Sequence, residues 1–228
     1  YQKALDCFKK AIEINPNYAD AHYNLGITLK TLGENQKSIA SFEKTIELKP
    51  DNLDAHFRLG LLFVEIRNYQ KAKNCYEKVI AINPNHIGAL INLGIIYANL
   101  GENQKAIGCY KKAIKINPSC AEAYWNLYMI APNIDEALLM LKKFHKINNN
   151  HTEAQIMISG LEAYKGNFHM FNDLLKTTYA GHPHTRSIKW LLSLPTLPKI
   201  FFARWDLFNN VIESTNNSRP FYEFGVWE

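Results

Sequence analysis

Pro16, Pro50, Pro84 and Pro118 recur every 34 residues, each closing an Ile-Asn or Leu-Lys pair. A proline lacks the amide donor, and its ring collides with the preceding helical turn, so a helix rarely runs through it. Four such breaks at one period cut the first half of the chain into pieces of helix–turn–helix length. A piece of that size cannot close a core by itself. It must stack on its copies, and the stack leaves an extended inner groove suited to gripping another chain.

Aligning the pieces from Ala19, Leu53, Ile87 and Ala121 shows which positions recur. The seventh is Leu25, Leu59, Leu93 and Leu127, and the eighth is Gly26, Gly60 and Gly94, until Tyr128 breaks the run. Further on come Ser38, Ala72 and Ala106, then Phe42, Tyr76 and Tyr110, then Thr45, Val79 and Ala113. The apolar positions fall at helical spacing along two stretches divided by Leu32-Gly33 and Leu100-Gly101. A glycine there is placed for a left-handed C-terminal cap. Asn17, Asp51, Asn85 and Ser119 follow the prolines and are expected to N-cap the next helix. The eighth-position glycines are expected to let paired helices approach closely.

These residues resemble the tetratricopeptide repeat, whose pattern runs large, Leu-Gly, aromatic, then Ala, aromatic, Ala, Pro. The resemblance implies an all-α, right-handed superhelical solenoid of helix pairs. Ala4, Phe8 and Ala11 fit a second helix, so the chain is expected to begin inside a repeat. After Pro118 the pattern loses three residues: Pro132 and Asn133 arrive early, followed by Ala137, Leu141 and Phe144. Asn133 and Glu136 are expected to form a capping box. A last unit starts near Thr152, turns at Lys165-Gly166 and closes at Pro183. The repeat array is therefore expected over 1–183, a helical connector over 184–220 and a terminal strand over 221–228.

Composition sets few further limits. The net charge is +5, with 16 Lys/Arg against 11 Asp/Glu over residues 1–118 and ten of each beyond. The excess is spread over the outer faces of second helices, without the basic stripe and interleaved aromatics that nucleic acid calls for. No apolar run reaches membrane-spanning length and no leader is visible. Cys7, Cys75 and Cys109 share one repeat position. Layers about 10 Å apart put such residues beyond disulfide reach. With Cys120 they are expected to be small buried thiols in a reducing, cytoplasmic setting. Five of the eight histidines lie between His145 and His184, but their spacing matches no metal motif, and no G-x-S-x-G, H-E-x-x-H or C-x-x-C pattern occurs.

The sixth position reads Asn24, Arg58, Asn92 and Asn126. In the repeat family this position faces the inner surface, and asparagine there resembles the ladder of the O-linked N-acetylglucosamine transferases. A carboxamide carries a donor and an acceptor and can pair with both groups of one peptide unit. Extended chain advances about 3.3 Å per residue, so rungs about 10 Å apart would clamp roughly every third residue. Tyr23, Phe57, Ile91 and Trp125 at the fifth position would add apolar patches. Ile27, Leu61, Ile95 and Met129 at the ninth are expected mainly to pack. The candidate groove is thus Tyr23, Asn24, Phe57, Arg58, Asn92, Trp125 and Asn126, and the expected partner is a protein or extended peptide.

From Thr185 the period stops. A short helix is expected over 187–194 and an amphipathic one over 200–214, with Phe201, Trp205, Phe208 and Ile212 on one face. The ending Tyr222-Glu223-Phe224-Gly225-Val226-Trp227-Glu228 resembles the Glu-Cys-Gly-Val-Trp-Arg-Gly opening of macrocin O-methyltransferases, with Glu228 standing where that family commonly has Arg. This resemblance implies a class I S-adenosylmethionine domain, with Glu223 and Gly225 beside the cofactor, and repeats that recruit substrate to it. A glycosyltransferase following the repeats would account for the asparagines but not for this ending.

Overall fold

A computed structural model describes residues 1–193. Among them every regular element is a helix, and the chain divides into two compact units, Tyr1–Asn117 and a second from Pro118 onward. The first unit holds α1 (Gln2–Ile14), α2 (Ala19–Thr31), α3 (Asn35–Leu48), α4 (Leu53–Glu65), α5 (Tyr69–Ile82), α6 (Ile87–Asn99) and α7 (Asn103–Ile116). The expected pairs are present: α2 packs on α3, α4 on α5 and α6 on α7, with each pair leaning on the next.

The core of each pair is an aromatic ring seated on a glycine. A methyl group added at Gly26 would stand 2.8 Å from Phe42, and one at Gly60 would stand 2.7 Å from Tyr76. The same relation joins Gly94 to Tyr110. The rings of Phe42, Tyr76 and Tyr110 are 1 %, 0 % and 1 % exposed, so each is fully withdrawn from water. Complete burial of a large apolar side chain contributes about 1.5–3 kcal/mol. The absent side chain on one helix therefore makes room for the largest on its partner. Ser38 adds a polar tie, donating from Oγ to the carbonyl of Gly26 at 2.7 Å.

Gly33 and Gly101 take the left-handed conformation expected of them, with φ +78° and +75°. The third member of that series is Arg67, which holds φ +59° with a side chain attached. The N-caps stand one residue later than expected, at Tyr18, Asn52, His86 and Cys120. The residue after each proline is spent on the turn. Asn17 and Asn85 donate their amides back to the side chains of Asn15 and Asn83, at 3.1 and 3.0 Å. Asn52 then accepts from the Ala55 amide at 2.9 Å, and His86 accepts through Nδ1 from the Ala89 amide at 3.0 Å. Tyr18 and Cys120 make no side-chain cap.

The second unit holds α8 (Ala121–Met129), α9 (Ile134–Ile147), α10 (Thr152–Tyr164), α11 (His169–Leu174), a 3-10 turn (Thr178–Gly181) and α12 (Pro183–Ser193). The deletion falls on α8, which has 9 residues where α2, α4 and α6 have 13. Asn133 caps α9 by accepting from the Glu136 amide at 2.9 Å. Glu136 answers through the Asn133 side-chain amide at 3.1 Å, so the box closes side chain to side chain. Gly166 turns with φ +93°, as its place predicts.

Pro183 does not close a helix. It opens α12, where a first-turn proline costs no hydrogen bond, and the helix begins four residues ahead of the expected start. α11 is only 6 residues long, and Ile188 of α12 covers Gly160 on α10. A methyl at Gly160 would stand 2.7 Å from Ile188. Cys75 is buried, and burial pushes its thiol up to about 12, but Cys7 is exposed on α1, contrary to expectation. No helix among the described residues is long and apolar enough to cross a membrane. The helix expected over 200–214, the strand over 221–228, and Glu223 and Gly225 lie outside the described residues.

Candidate functional site

In the first unit the sixth positions of α2, α4 and α6 carry Asn24, Arg58 and Asn92, of which Arg58 is exposed and both asparagines are half-buried. Side-chain links show that α2 and α4 lie beside each other. Arg58 donates from Nε to the Tyr23 hydroxyl at 2.8 Å, with its guanidinium 5.8 Å from the Tyr23 ring centre. Further along the same two helices Lys30 is paired with Glu65. One N–H of the Arg58 fork is thus spent, and the four on its terminal nitrogens remain. Among the described residues no carboxylate pairs with it.

Asn24 has turned its NH2 onto its own helix, donating to the Asp20 carbonyl at 2.8 Å. Its Oδ1 is left as an acceptor. Asn92 makes no equivalent bond to the carbonyl one turn back. Beside it lies the Tyr76 hydroxyl, buried and without a partner in hydrogen-bonding geometry. Burial is the main cause that holds the Tyr76 phenol well above its usual pKa, and the neighbouring Asn92 works the other way.

The fifth-position side chains differ from one another. Tyr23 and Phe57 are half-buried, while Ile91 is 2 % exposed and belongs to the core. Phe57 meets the Tyr76 ring at 5.7 Å and the capping His86 ring at 4.7 Å between centres. Leu61, at a ninth position expected to pack, is 43 % exposed and adds apolar surface one turn from Arg58. In the second unit Asn126 and Trp125 are both half-buried. The Trp125 ring contacts Phe144 at 5.0 Å and the His151 ring at 5.1 Å. His151 caps α10 through Nδ1, accepting from the Ala154 amide at 3.2 Å.

Those two histidines escaped the sequence reading, because imidazole is not among the usual capping groups. An Asn-His pair before each helix, Asn85-His86 and Asn150-His151, was the available signal. Two further histidines serve the turns: His22 and His56 reach the carbonyls of Pro16 and Pro50 at 2.9 and 2.8 Å. An open cleft of ≈ 420 Å³ lies over His22 and Leu25 of α2, between Ile12 of α1 and Ala40 of α3, rimmed by Lys9, Glu13 and Lys44.

The family model described as "TPR repeat" matches residues 1–33, and that described as "Tetratricopeptide repeat" matches 19–52, 53–86 and 88–120. Among solved structures the chain is similar to a crystal structure of MamA, at 28% identity and TM-score 0.61, over 65% of this chain and 89% of that one. It is also similar to YrrB, described as a TPR protein with an unusual peptide-binding site, at 24% identity and TM-score 0.67, covering 81% and 98%. PilW, a type IV pilus biogenesis factor, matches at 18% identity and TM-score 0.63, covering 83% and 90%. At their identities the last two speak to the fold alone. No curated protein matches the sequence.

Proposed function

Residues 1–120 belong to the tetratricopeptide-repeat family, and on that premise we propose that α2, α4 and α6 form a docking surface for an extended segment of a partner protein. The observation that carries this reading is the row Asn24, Arg58 and Asn92. Three neighbouring first helices each hold, at one repeat position, a polar side chain with hydrogen-bonding capacity left over. A backbone-reading surface needs such capacity at intervals of about 10 Å, every third residue of an extended chain. Arg58 is prepared for the task because Tyr23 fixes its plane, so less side-chain freedom is lost on binding. Tyr23, Phe57 and Leu61 supply the apolar surface that side chains of the bound segment would cover. The association of YrrB with a peptide-binding site points in the same direction.

An array of random-sequence peptides probed with the fluorescently labelled chain tests the reading. Wild type should be retained on a subset of spots, and the double variant Arg58→Ala/Asn92→Ala should lose them while its thermal melting stays unchanged. Retention of the same spots by the double variant would move the docking surface elsewhere.

A further inference from the structure

Charge is unevenly shared among the second helices. Lined up at the 34-residue period, α1, α3, α5 and α7 carry Lys9, Glu43, Glu77 and Lys111 at one place. A lysine follows in all four, Lys10, Lys44, Lys78 and Lys112, and three residues later come Glu13, Glu47, Ala81 and Lys115. Of these helices α7 alone holds no Asp or Glu. Lys44 is neutralised on its own helix by Glu47 at 2.7 Å, and Lys78 by Asp51, in the turn before α4, at 3.4 Å. Both routes are closed to Lys112, because Lys115 stands in the place of Glu47 and Asn85 in that of Asp51. Glu102 is taken up by Lys105, and Glu77 of α5 accepts from the Tyr97 hydroxyl at 3.0 Å. Among the described residues no carboxylate pairs with Lys111, Lys112 or Lys115.

These three lysines lie three and four residues apart, side by side on one face of α7, and all are exposed. Like charges at such spacings weaken a helix. The helix dipole offsets this only for Lys115, the one cation in the last turn. The same face exposes Gly108, where an added methyl would meet nothing within 4 Å. Glycine also lowers helix propensity, and its bare backbone lets a second chain approach closely. On this face α7 therefore forgoes both ion pairing and propensity, and the fold of the first unit leaves it uncovered.

We propose that the Lys111, Lys112 and Lys115 face of α7 docks an acidic segment of a partner protein, on a surface other than the first-helix row. Three ammonium groups without counter-charges call for carboxylates. Lys111 and Lys115 stand about 6 Å apart along the helix axis, close to the roughly 6.6 Å between alternate residues of an extended chain. The segment that fits carries Asp or Glu at alternate positions, with one carboxylate for each of these two lysines and Lys112 beside them. Nucleic acid fits less well, because α7 exposes no aromatic ring on which a base could stack. A lipid surface fits less well too, because α7 exposes no large apolar side chain to enter it.

The probe is a synthetic peptide of alternating Ser and Glu residues, titrated into the 15N-labelled full chain. The Gly108 amide resonance, assigned by its loss in Gly108→Ala, should move, while those of Gly26 and Gly33 stay in place. The double variant Lys111→Glu/Lys115→Glu installs the acids that α3 holds at these places, Glu43 and Glu47, so the helix should fold and melt no lower. It should weaken binding at least about ten-fold, since like charges then meet across the interface. The control Lys9→Glu/Lys10→Glu makes the same change in net charge on α1 and should leave affinity at the wild-type value. A Gly108 resonance unmoved by the peptide would overturn the proposal. So would an equal loss of affinity in the two double variants, which would mark the binding as an effect of net charge alone. Tighter binding of a single-stranded oligonucleotide or of phosphatidylserine vesicles than of the peptide, with the same dependence on Lys111 and Lys115, would overturn it as well.

Discussion

Gly60→Ala should destabilise the first unit although alanine is the better helix former. The added methyl would stand 2.7, 2.9 and 3.1 Å from Cε1, Cζ and Cδ1 of Tyr76. Carbon atoms prefer separations of about 3.5–4.0 Å, so the ring would have to withdraw by about 1 Å. It has nowhere to go, being 0 % exposed and backed by Phe57 at 5.7 Å. Overfilling a packed site costs about 1–3 kcal/mol. Replacing a mid-helix glycine returns about 1 kcal/mol through helix propensity, leaving a net loss of up to about 2 kcal/mol. Gly108 on α7 supplies the control, since a methyl there meets nothing within 4 Å. Gly108→Ala should therefore gain about 1 kcal/mol, so the same substitution at two helical sites carries opposite signs. Urea unfolding followed by far-ultraviolet circular dichroism reads both as midpoint shifts at constant slope. A Gly60→Ala variant as stable as Gly108→Ala would refute the ring-on-glycine account of how the pairs are held.

Arg67→Gly should stabilise, because Arg67 holds φ +59° where its counterparts are glycines; a left-handed residue costs roughly 1–2 kcal/mol and glycine's extra entropy returns part of it, so a gain of up to ~1 kcal/mol is expected in the same unfolding assay. The Glu162 carboxyl is held below its usual range chiefly by its hydrogen bond from Lys142, which ties α10 to α9. A lowered folded pKa gives stability that is present above the ordinary glutamate value and lost as pH falls through the lowered one. Melting temperature should thus drop toward acid pH, and Glu162→Gln should flatten that limb. Cys75 should resist alkylation until the chain unfolds, since burial both covers its thiol and pushes it up to about 12, whereas exposed Cys7 should react in the folded state. Mass spectrometry of tryptic peptides after a timed iodoacetamide pulse separates the two.

The helix pairs were legible because proline and glycine punctuate the chain at a fixed period and act locally. The turn at Gly33, the ring on Gly26 and the restart at Asn133 each follow from residues close in sequence. At Asn17 and Asn85 the one-residue error in the N-caps arose where two local bonds compete. Asn15 and Asn83 claim the amide after the proline, a use of asparagine that the capping rule does not weigh. In the candidate site, the column of sixth-position residues was readable, but their orientation was not. Arg58 is aimed by Tyr23, 35 residues away, and Asn92 lies beside a hydroxyl from the preceding helix. Both relations cross between repeats, where a repeat-by-repeat alignment is blind. The array beyond Pro118 was harder still, because Ile188 from α12 fills a seat that the period assigns to the preceding helix.

Three nearly identical keys and three nearly identical slots pose a sorting problem as the chain folds. Phe42 lies 16 residues after Gly26 and 18 before Gly60, so the tether to the wrong slot is scarcely longer than the tether to the right one. Loop closure separates those choices by only about 0.1 kcal/mol. What tells them apart is the hinge between: the left-handed residue at Gly33 folds α3 back on α2 at once, while Pro50 sends the chain forward. Pairing fidelity in this protein therefore rests on the corners of the hairpins rather than on the fit of ring to seat.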